Sequence, residues 1–192
     1  MKKALALCIC LAISFYVAEA QDMSNQEKIQ SAMSAAPYSI SENATIKDWP
    51  AGEGEEMAVL RAGNNQFTCL PDMPATPGKD PMCLDDPWLK WADAWMNKKD
   101  FTINKMGFGY MLQGGTPESN IDPYAEGPKP DNQWLEEAAP HLMIVVPNNG
   151  MLSGLPVTPE DGGPWVMWEN TPYVHIMVPM PKYSPPMQQA SN

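Results

Sequence analysis

The chain contains two histidines, and each opens a similar phrase: "HLMIVVP" begins at His141 and "HIMVP" begins at His175. Side chains alternate between the two faces of a strand, so His141 shares a face with Met143, and His175 with Met177. We predict that the two phrases are neighbouring strands of one sheet. If their histidine faces lie on the same side, imidazole and thioether groups meet, and this combination suits Cu(I). One hypothesis is therefore a metal site formed by His141, Met143, His175 and Met177.

Either histidine could instead be the general base of a hydrolase, with Asp122, Asp161 or Glu169 as a carboxylate partner. Such an enzyme needs an activated nucleophile on a tight turn. Ser153 lies in "NGMLSGLP", which does not match G-x-S-x-G, and the glycine turns "QGG" and "DGGP" lack the Lys and Ser/Thr of a phosphate loop. The simplest alternative is that both histidines are packed or hydrogen-bonded residues of a core.

Residues 1–20 have the pattern of a secretory signal peptide. Lys2 and Lys3 precede a short apolar run, and Ala18 and Ala20 provide the small residues before a cleavage site ahead of Gln21. No later segment approaches the roughly 18 consecutive apolar residues of a membrane helix. The sequence therefore predicts a soluble periplasmic or secreted protein with no membrane insertion after cleavage.

Two cysteines remain after this cleavage, Cys69 and Cys83, separated by "LPDMPATPGKDPM". In an oxidising compartment an isolated pair of this kind is typical of a disulfide. The alternative, a metal-binding or redox dithiol, normally uses a closer spacing such as C-x-x-C. Acidic residues crowd the same region, but they lack the spacing of an EF-hand calcium loop.

The charge of the chain argues against two classes of partner. The formal net charge is -11 at pH 7, and loss of Lys2, Lys3 and Glu19 with the signal peptide makes it -12. An acidic protein repels phosphate backbones and anionic lipid headgroups, so nucleic acid and membrane surfaces are poor partners. Apart from copper, no cofactor is predicted.

The stretch "DDPWLKWADAWMNKKD" predicts an amphipathic helix over residues 86–98, capped by Asp85 or Asp86. Its tryptophans, at 88, 91 and 95, form one stripe that we expect to be buried, although an exposed stripe would suit a sugar ligand. In "KMGFGYML" the glycines at 107 and 109 leave one strand face flat, and the tryptophans could lie over it.

The remaining segments predict short strands. "EMAVLR" and "QFTCL" read as a hairpin with Leu60 opposite Phe67 and Ala58 opposite Cys69, and "PWVMW" and "YVHIMVPM" as a second one with Val166 opposite His175. The acidic loop between them, residues 116–140, is either a flap over one sheet face or disordered. A short helix is expected near residues 24–35, ended by Pro37.

Together these elements predict an α+β domain: an antiparallel sheet of about five to six strands, one main amphipathic helix on one face, and long loops rich in proline and glycine. The predicted organisation is a signal peptide (1–20), a polar N-terminal segment (21–42), a single α+β domain (43–182) and a flexible tail (183–192).

The phrases "FTCLPDMPATPGKDPMCLD", "GFGYMLQGG" and "GGPWVMWENTPYVHIMVPM" occur in this order over most of the mature chain. In this the sequence resembles a group of uncharacterised secreted bacterial proteins. That group has no assigned activity, so the resemblance implies no functional residues. The leading prediction is an exported, non-catalytic domain that binds a small ligand or a protein partner. The alternatives are the hydrolase and the periplasmic Cu(I)-binding protein.

Overall fold

The computed structural model describes residues 23–52 and 54–182. The predicted signal peptide (1–20) and the predicted tail (183–192) lie outside the described residues. No helix in the described ranges is long and apolar enough to cross a membrane.

The fold is a mixed α/β arrangement built on one large sheet. The helices are α1 (Asn25–Ser34), α2 (Tyr38–Ser41) and α3 (Asp86–Met96). The strands are β1 (Thr45–Lys47), β2 (Val59–Arg61), β3 (Phe67–Leu70), β4 (Met82–Asp85), β5 (Gly107–Met111), β6 (Glu118–Ser119), β7 (Trp134–Leu135), β8 (His141–Val145), β9 (Trp165–Met167) and β10 (His175–Pro179).

Eight of these strands form a sheet in the order β2-β1-β3-β4-β5-β8-β10-β9, while β6 and β7 form a separate pair. All neighbours in the large sheet are antiparallel except β1 and β3. The predicted mixture of strands and few helices is confirmed. The predicted number of five to six strands is too low, because the sheet has eight. The prediction that all strands are antiparallel holds for every neighbouring pair except β1 and β3.

Helix α3 lies on one face of the sheet, as its tryptophan stripe predicts. Asp85 is the N-cap and accepts hydrogen bonds from the backbone N–H of Trp88 (3.2 Å) and of Phe108 in β5 (2.9 Å), which ties the helix start to the sheet. Trp88 and Trp91 are buried, whereas Trp95 is partly buried. The helix ends at Met96, two residues earlier than predicted.

The indole N–H groups of this stripe point inward. Trp88, Trp91 and Trp95 donate to the backbone carbonyl oxygens of Met143 (3.2 Å), Tyr173 (3.2 Å) and Pro123 (3.1 Å). A sugar-binding platform would keep its donors and ring faces open to solvent. These tryptophans are instead part of the core, with Trp91 stacked on Trp168 at a centroid distance of 5.6 Å.

The opposite face of the sheet is covered by α1, which begins at the N-cap Ser24 and ends at the C-cap Ala35, close to the predicted 24–35. Ala32, Ala35 and Ala36 are fully buried and pack in one cluster with Cys69 and Cys83. Although the sequence analysis kept residues 21–42 apart from the domain, this helix shares a core with the sheet.

The predicted disulfide is present. Cys69 in β3 and Cys83 in β4 are bonded directly across the ladder and are fully buried. The bond therefore joins adjacent strands beneath α1.

The first predicted hairpin is wrong, because a third strand separates its two arms. β1 pairs with β2 on one side and with β3 on the other, so Leu60 is not opposite Phe67 and Ala58 is not opposite Cys69. The loop after β2 bonds to the residues before β1: the backbone N–H groups of Asn64 and Asn65 both donate to the carbonyl oxygen of Asn43. β1 has three residues, too short for a period-two pattern.

The second predicted hairpin forms, but its register is shifted by one residue. His175 lies opposite Met167, not Val166, and Met177 lies opposite Trp165. The connection is longer than the predicted "ENTP" because Trp168 and Asn170 adopt positive φ angles of 54° and 63°. The shift places His175, Met167, Met177 and Trp165 on one face.

The loop from 116 to 140 is ordered and covers the face that carries α3. Asn120, 1% exposed, accepts a hydrogen bond from Trp165 Nε1 (2.9 Å), and its side-chain amide donates to Gln133 and Val157. The Tyr124 hydroxyl donates to the carbonyl of Trp95 (2.9 Å). The loop therefore matches the flap alternative in position, and the disorder alternative is wrong.

Candidate functional site

The two histidine phrases are neighbouring strands, as predicted. β8 and β10 pair antiparallel with Met143 opposite Met177 and His141 opposite Pro179. The side chains of His141, Met143, His175 and Met177 are all buried on the face that carries α3. The two imidazoles and the two thioethers therefore lie on one face of β8 and β10, and we call these four side chains the histidine–methionine row. Their spacing along the strands determines which of them can contact one ligand or ion.

The two imidazoles lie at opposite ends of the row, with the methionine pair between them. His141 is level with Pro179, four residues beyond His175, which corresponds to about 14 Å along the strands. His141 Nδ1 bonds to the carbonyl of Ala139 (2.6 Å), and His175 Nδ1 to the carbonyl of Tyr173 (2.9 Å). Each ring is thus bonded to the carbonyl of the residue two positions earlier in its own chain segment.

Because a carbonyl oxygen only accepts, Nδ1 carries the proton in both rings and Nε2 is left as an acceptor or ligand atom. Neither Nε2 has a hydrogen-bond partner among the residues that the structure describes. The same local bond fixes the tautomer of histidines that bind metals. What differs between the two rings is their surroundings.

His175 is enclosed by aromatic rings. Trp88, Trp91 and Trp168 approach it edge to face, with centroid distances of 5.5, 5.3 and 5.1 Å. Burial lowers the pKa of His175 to about 4, so the ring is neutral at physiological pH. It is therefore a packed core residue, as the simplest of the three alternatives for the histidines predicts.

His141 instead lines a cavity of about 210 Å³. Although only 3% of this residue is exposed, its ring is part of the cavity wall, beside Met177 and Trp165. Burial lowers the pKa of His141 as well, so Nε2 is a neutral acceptor. The rest of the wall is mostly apolar and is formed by Leu135, Ala138, Ala139, Pro140, Pro159 and Pro179.

Glu118 brings a carboxyl group to the same cavity. It lies in β6 of the 116–140 loop, is half-buried, and has no hydrogen-bond partner in the described part of the chain. Burial raises the pKa of Glu118 to about 7. A carboxyl and an imidazole whose pKa values are both perturbed and that line one cavity are typical of functional sites.

No sequence motif indicates Glu118. Its residue type is common in this acidic chain, and the only local signal is its position in a long loop, where functional residues are frequent. The cavity forms only when this loop folds over β8 and β10, which is a contact between distant parts of the chain.

The components of the alternative hydrolase are not assembled. Ser153 is exposed and shares a cavity of about 550 Å³ with Glu169, whose wall contains no histidine. That wall includes Val166, which faces the opposite side of the sheet from Trp165. Asp122 accepts a hydrogen bond from the backbone N–H of Tyr124, and Asp161 lies in an exposed turn.

Two acidic residues near the disulfide, Asp72 and Asp80, accept hydrogen bonds from the protein itself. Asp80 accepts from the N–H of Met73 (3.0 Å) and from the Thr116 hydroxyl (3.0 Å), and Asp72 accepts from the N–H of Asp80 (2.8 Å). Within residues 23–52 and 54–182 no three or more His, Cys, Asp and Glu side chains are grouped to hold a metal ion. Methionine is outside that set, so the row in β8 and β10 is a separate question.

No protein-family model, no curated protein and no solved structure matches this chain. The resemblance to secreted bacterial proteins therefore stays a prediction.

Proposed function

We propose that this chain is an exported protein, periplasmic or secreted, that binds a small molecule in the His141 cavity and catalyses no reaction of its own. The observation that carries the proposal is a mostly apolar cavity whose wall holds the unpartnered Glu118 carboxyl and His141 Nε2, with Glu137 as a further acidic residue. Small-molecule sites combine an apolar wall with a few polar groups in this way. The volume of about 210 Å³ lies below the range for drug-sized ligands, so the ligand is small.

Two features support export. The first twenty residues have the order of a signal peptide, a basic start followed by an apolar run and small residues. The Cys69–Cys83 disulfide is the kind of bond that persists in oxidising compartments.

The absence of a nucleophile supports binding over hydrolysis. The cavity wall contains no serine, threonine, cysteine or lysine side chain that His141 could activate as a nucleophile. A carboxyl and an imidazole without a nucleophile can hold a ligand by hydrogen bonds.

Methionine methyl groups offer a direct test of the binding proposal. Met177 lines the cavity, whereas Met151 is 58% exposed on the 3₁₀ turn that starts at Asn149. With methyl-labelled methionine, NMR spectra are recorded while neutral, cationic and anionic molecules of a few heavy atoms are added. We expect shifts of the Met177 resonance and none of the Met151 resonance. Shifts confined to other parts of the chain would contradict the proposal.

Cu(I) binding is the second candidate, and the pairing of Met143 with Met177 favours it. These two residues are directly opposite each other in the ladder, and His141, with Nε2 as its free ring nitrogen, lines the same cavity as Met177. The candidate ligands are then His141, Met143 and Met177, while His175 belongs to the aromatic enclosure at the far end of the row.

Competition against a Cu(I) chelator tests this candidate. Met177→Leu should lose the copper that the parent protein retains, and Met151→Leu, an exposed methionine, should retain it. Equal competition by the parent and a His141→Ala, His175→Ala double variant would exclude both histidines as ligands.

A further inference from the structure

We infer that the ligand of the His141 cavity is a small organic ammonium ion: a protonated amine with an apolar body. The inference rests on the proposed function and names its ligand class. The charge of the ion is balanced by the Glu118 carboxylate, and one of its N–H groups donates to His141 Nε2.

With Glu118 ionised, as it is at pH 8, the side chains of the cavity wall offer free acceptors and no free donor. Glu118 and Glu137 are its charged residues, and both are acidic. His141 presents Nε2 without a proton, because Nδ1–H is bonded to Ala139. The one remaining side-chain donor, Trp165 Nε1–H, is already bonded to Asn120 Oδ1 at 2.9 Å.

This inventory discriminates between ligand classes. A carboxylate or phosphate would find no cation and no free side-chain donor in the wall, and it would face two glutamates. A neutral alcohol has one hydrogen to donate and would leave either Glu118 or His141 unpaired. A primary ammonium group has three donors and a positive charge, so it has a hydrogen for each of the two acceptors and a charge that matches the carboxylate.

The apolar body follows from the rest of the wall. Leu135, Pro140, Pro159 and Pro179 present aliphatic surface, and Trp165 contributes an aromatic ring. The acidic chain, with a formal charge of -11, attracts cations to its surface before they enter the cavity. The ligand is thus an alkyl or aryl amine small enough for about 210 Å³.

Three molecules of similar size and different charge test the inference: n-butylammonium, n-butanol and n-butyrate. Each is titrated into the purified protein at pH 8, above the pKa of Glu118, which burial raises to about 7. The readouts are the Trp165 Nε1 and His141 Nε2 resonances in ¹⁵N NMR. We expect n-butylammonium to bind about tenfold to a hundredfold more tightly than the other two, because hydrogen bonds to charged groups contribute about 1.5–3 kcal/mol.

A matched pair of variants assigns the effect to Glu118. Glu118→Gln removes the carboxylate in the cavity and should weaken n-butylammonium binding about tenfold or more, with little effect on n-butanol. Glu136→Gln removes the same charge from an exposed position outside the cavity wall and should leave all three affinities unchanged. If both variants weaken binding equally, general surface charge explains the preference and the inference fails.

The outcomes separate the ligand class from the function itself. If n-butanol or n-butyrate shifts Trp165 and His141 at least as strongly as n-butylammonium, the cavity binds small molecules but the ammonium assignment is wrong. If none of the three shifts these resonances, the inference and the proposed binding function both fall.

Discussion

His141 and His175 each donate Nδ1–H to the carbonyl two residues earlier, yet one lines a cavity and the other is enclosed by three indole rings. The repeated phrase that drew attention to them fixes the local hydrogen bond and the strand face. It does not fix the environment, which comes from α3 for His175 and from the 116–140 loop for His141. This is why the residues of the site were foreseen in part and Glu118 was not.

Glu118 should destabilise the protein at neutral pH. Burial raises the pKa of Glu118 from 4.5 to about 7, so the native state favours its protonated form. The contribution of Glu118 to the free energy of unfolding is therefore highest below pH 4.5, where Glu118 is protonated in both the native and the unfolded state. It falls as the pH rises from 4.5 to about 7, because Glu118 ionises in the unfolded chain before it ionises in the native protein. We therefore expect Glu118→Gln to raise the free energy of unfolding at pH 8 by about 1–3 kcal/mol and to change it little at pH 4.

Urea denaturation at the two pH values measures this effect. Glu136→Gln serves again as the control and should show no such dependence on pH. A Glu118→Gln variant that is less stable than the parent at pH 8 would show that the carboxylate has a stabilising partner.

His175 should have the opposite dependence on pH. Burial lowers the pKa of His175 from 6.5 to about 4, so its stabilising contribution is full above pH 6.5 and is lost as the pH falls towards 4. NMR titration of the ring protons should give a pKa near 4, and the parent should lose a few kcal/mol more than His175→Leu over this interval. A ring pKa near 6.5 would mean that the aromatic enclosure is open to water.

At the scale of elements, α3 and β5 fit together because two glycines remove the side chains between them. A Cβ atom at position 107 would lie 2.6 Å from Pro87 Cβ and 2.8 Å from Val145 Cγ2. At position 109 it would lie 3.2 Å from Trp88 Cδ2. The helix therefore sits closer to the strand than any other residue would allow.

Gly107→Ala should lower the free energy of unfolding by about 1–3 kcal/mol, the usual cost of overpacking a core. Gly127→Ala is the matched control, because no heavy atom lies within 4 Å of its added Cβ. Thermal or urea unfolding measures both variants. Equal stability of the Gly107 and Gly127 variants would mean that the helix can move away from the strand at little cost.

These elements also show which predictions can be made from sequence. The tryptophan stripe and the glycine face have short periods, so they indicated that α3 covers β5. The predicted register of the second hairpin was wrong by one residue. Residue types predicted a four-residue turn, whereas the observed turn is longer and contains positive φ angles at Trp168 and Asn170. β1 was not predicted because it has only three residues, which are too few to show a periodic pattern. Its partners, β2 and β3, both come later in the chain.

At the scale of the molecule, the sheet is closed on two sides by elements that are far apart in sequence. α1 covers the disulfide on one face, while α3 and the 116–140 loop cover the other. The class of fold was predictable from the patterns of the strands and of one amphipathic helix, and the disulfide from the isolated cysteine pair. The number of strands was not predictable, because strands of three residues carry no pattern of their own and are recognised only from the strands they pair with.

The disulfide gives a prediction at this scale. Mass spectrometry of the unreduced protein should show two hydrogens fewer than the reduced form. Replacing Cys69 and Cys83 together by alanine should lower the free energy of unfolding by about 3 kcal/mol, the value for a loop of this size. Two free thiols in the native protein would contradict the bond.

The place of β10 in the sheet bears on how the protein is made. β10 is the last strand that the structure describes, yet it is an interior strand, paired with β8 on one side and β9 on the other. During synthesis the ribosome must therefore release residues 175–179 before either pairing can form, and until then β8 and the His141 cavity are incomplete. A chain with this order of events emerges without its finished sheet, and the cavity wall is completed only by the last strand that the structure describes.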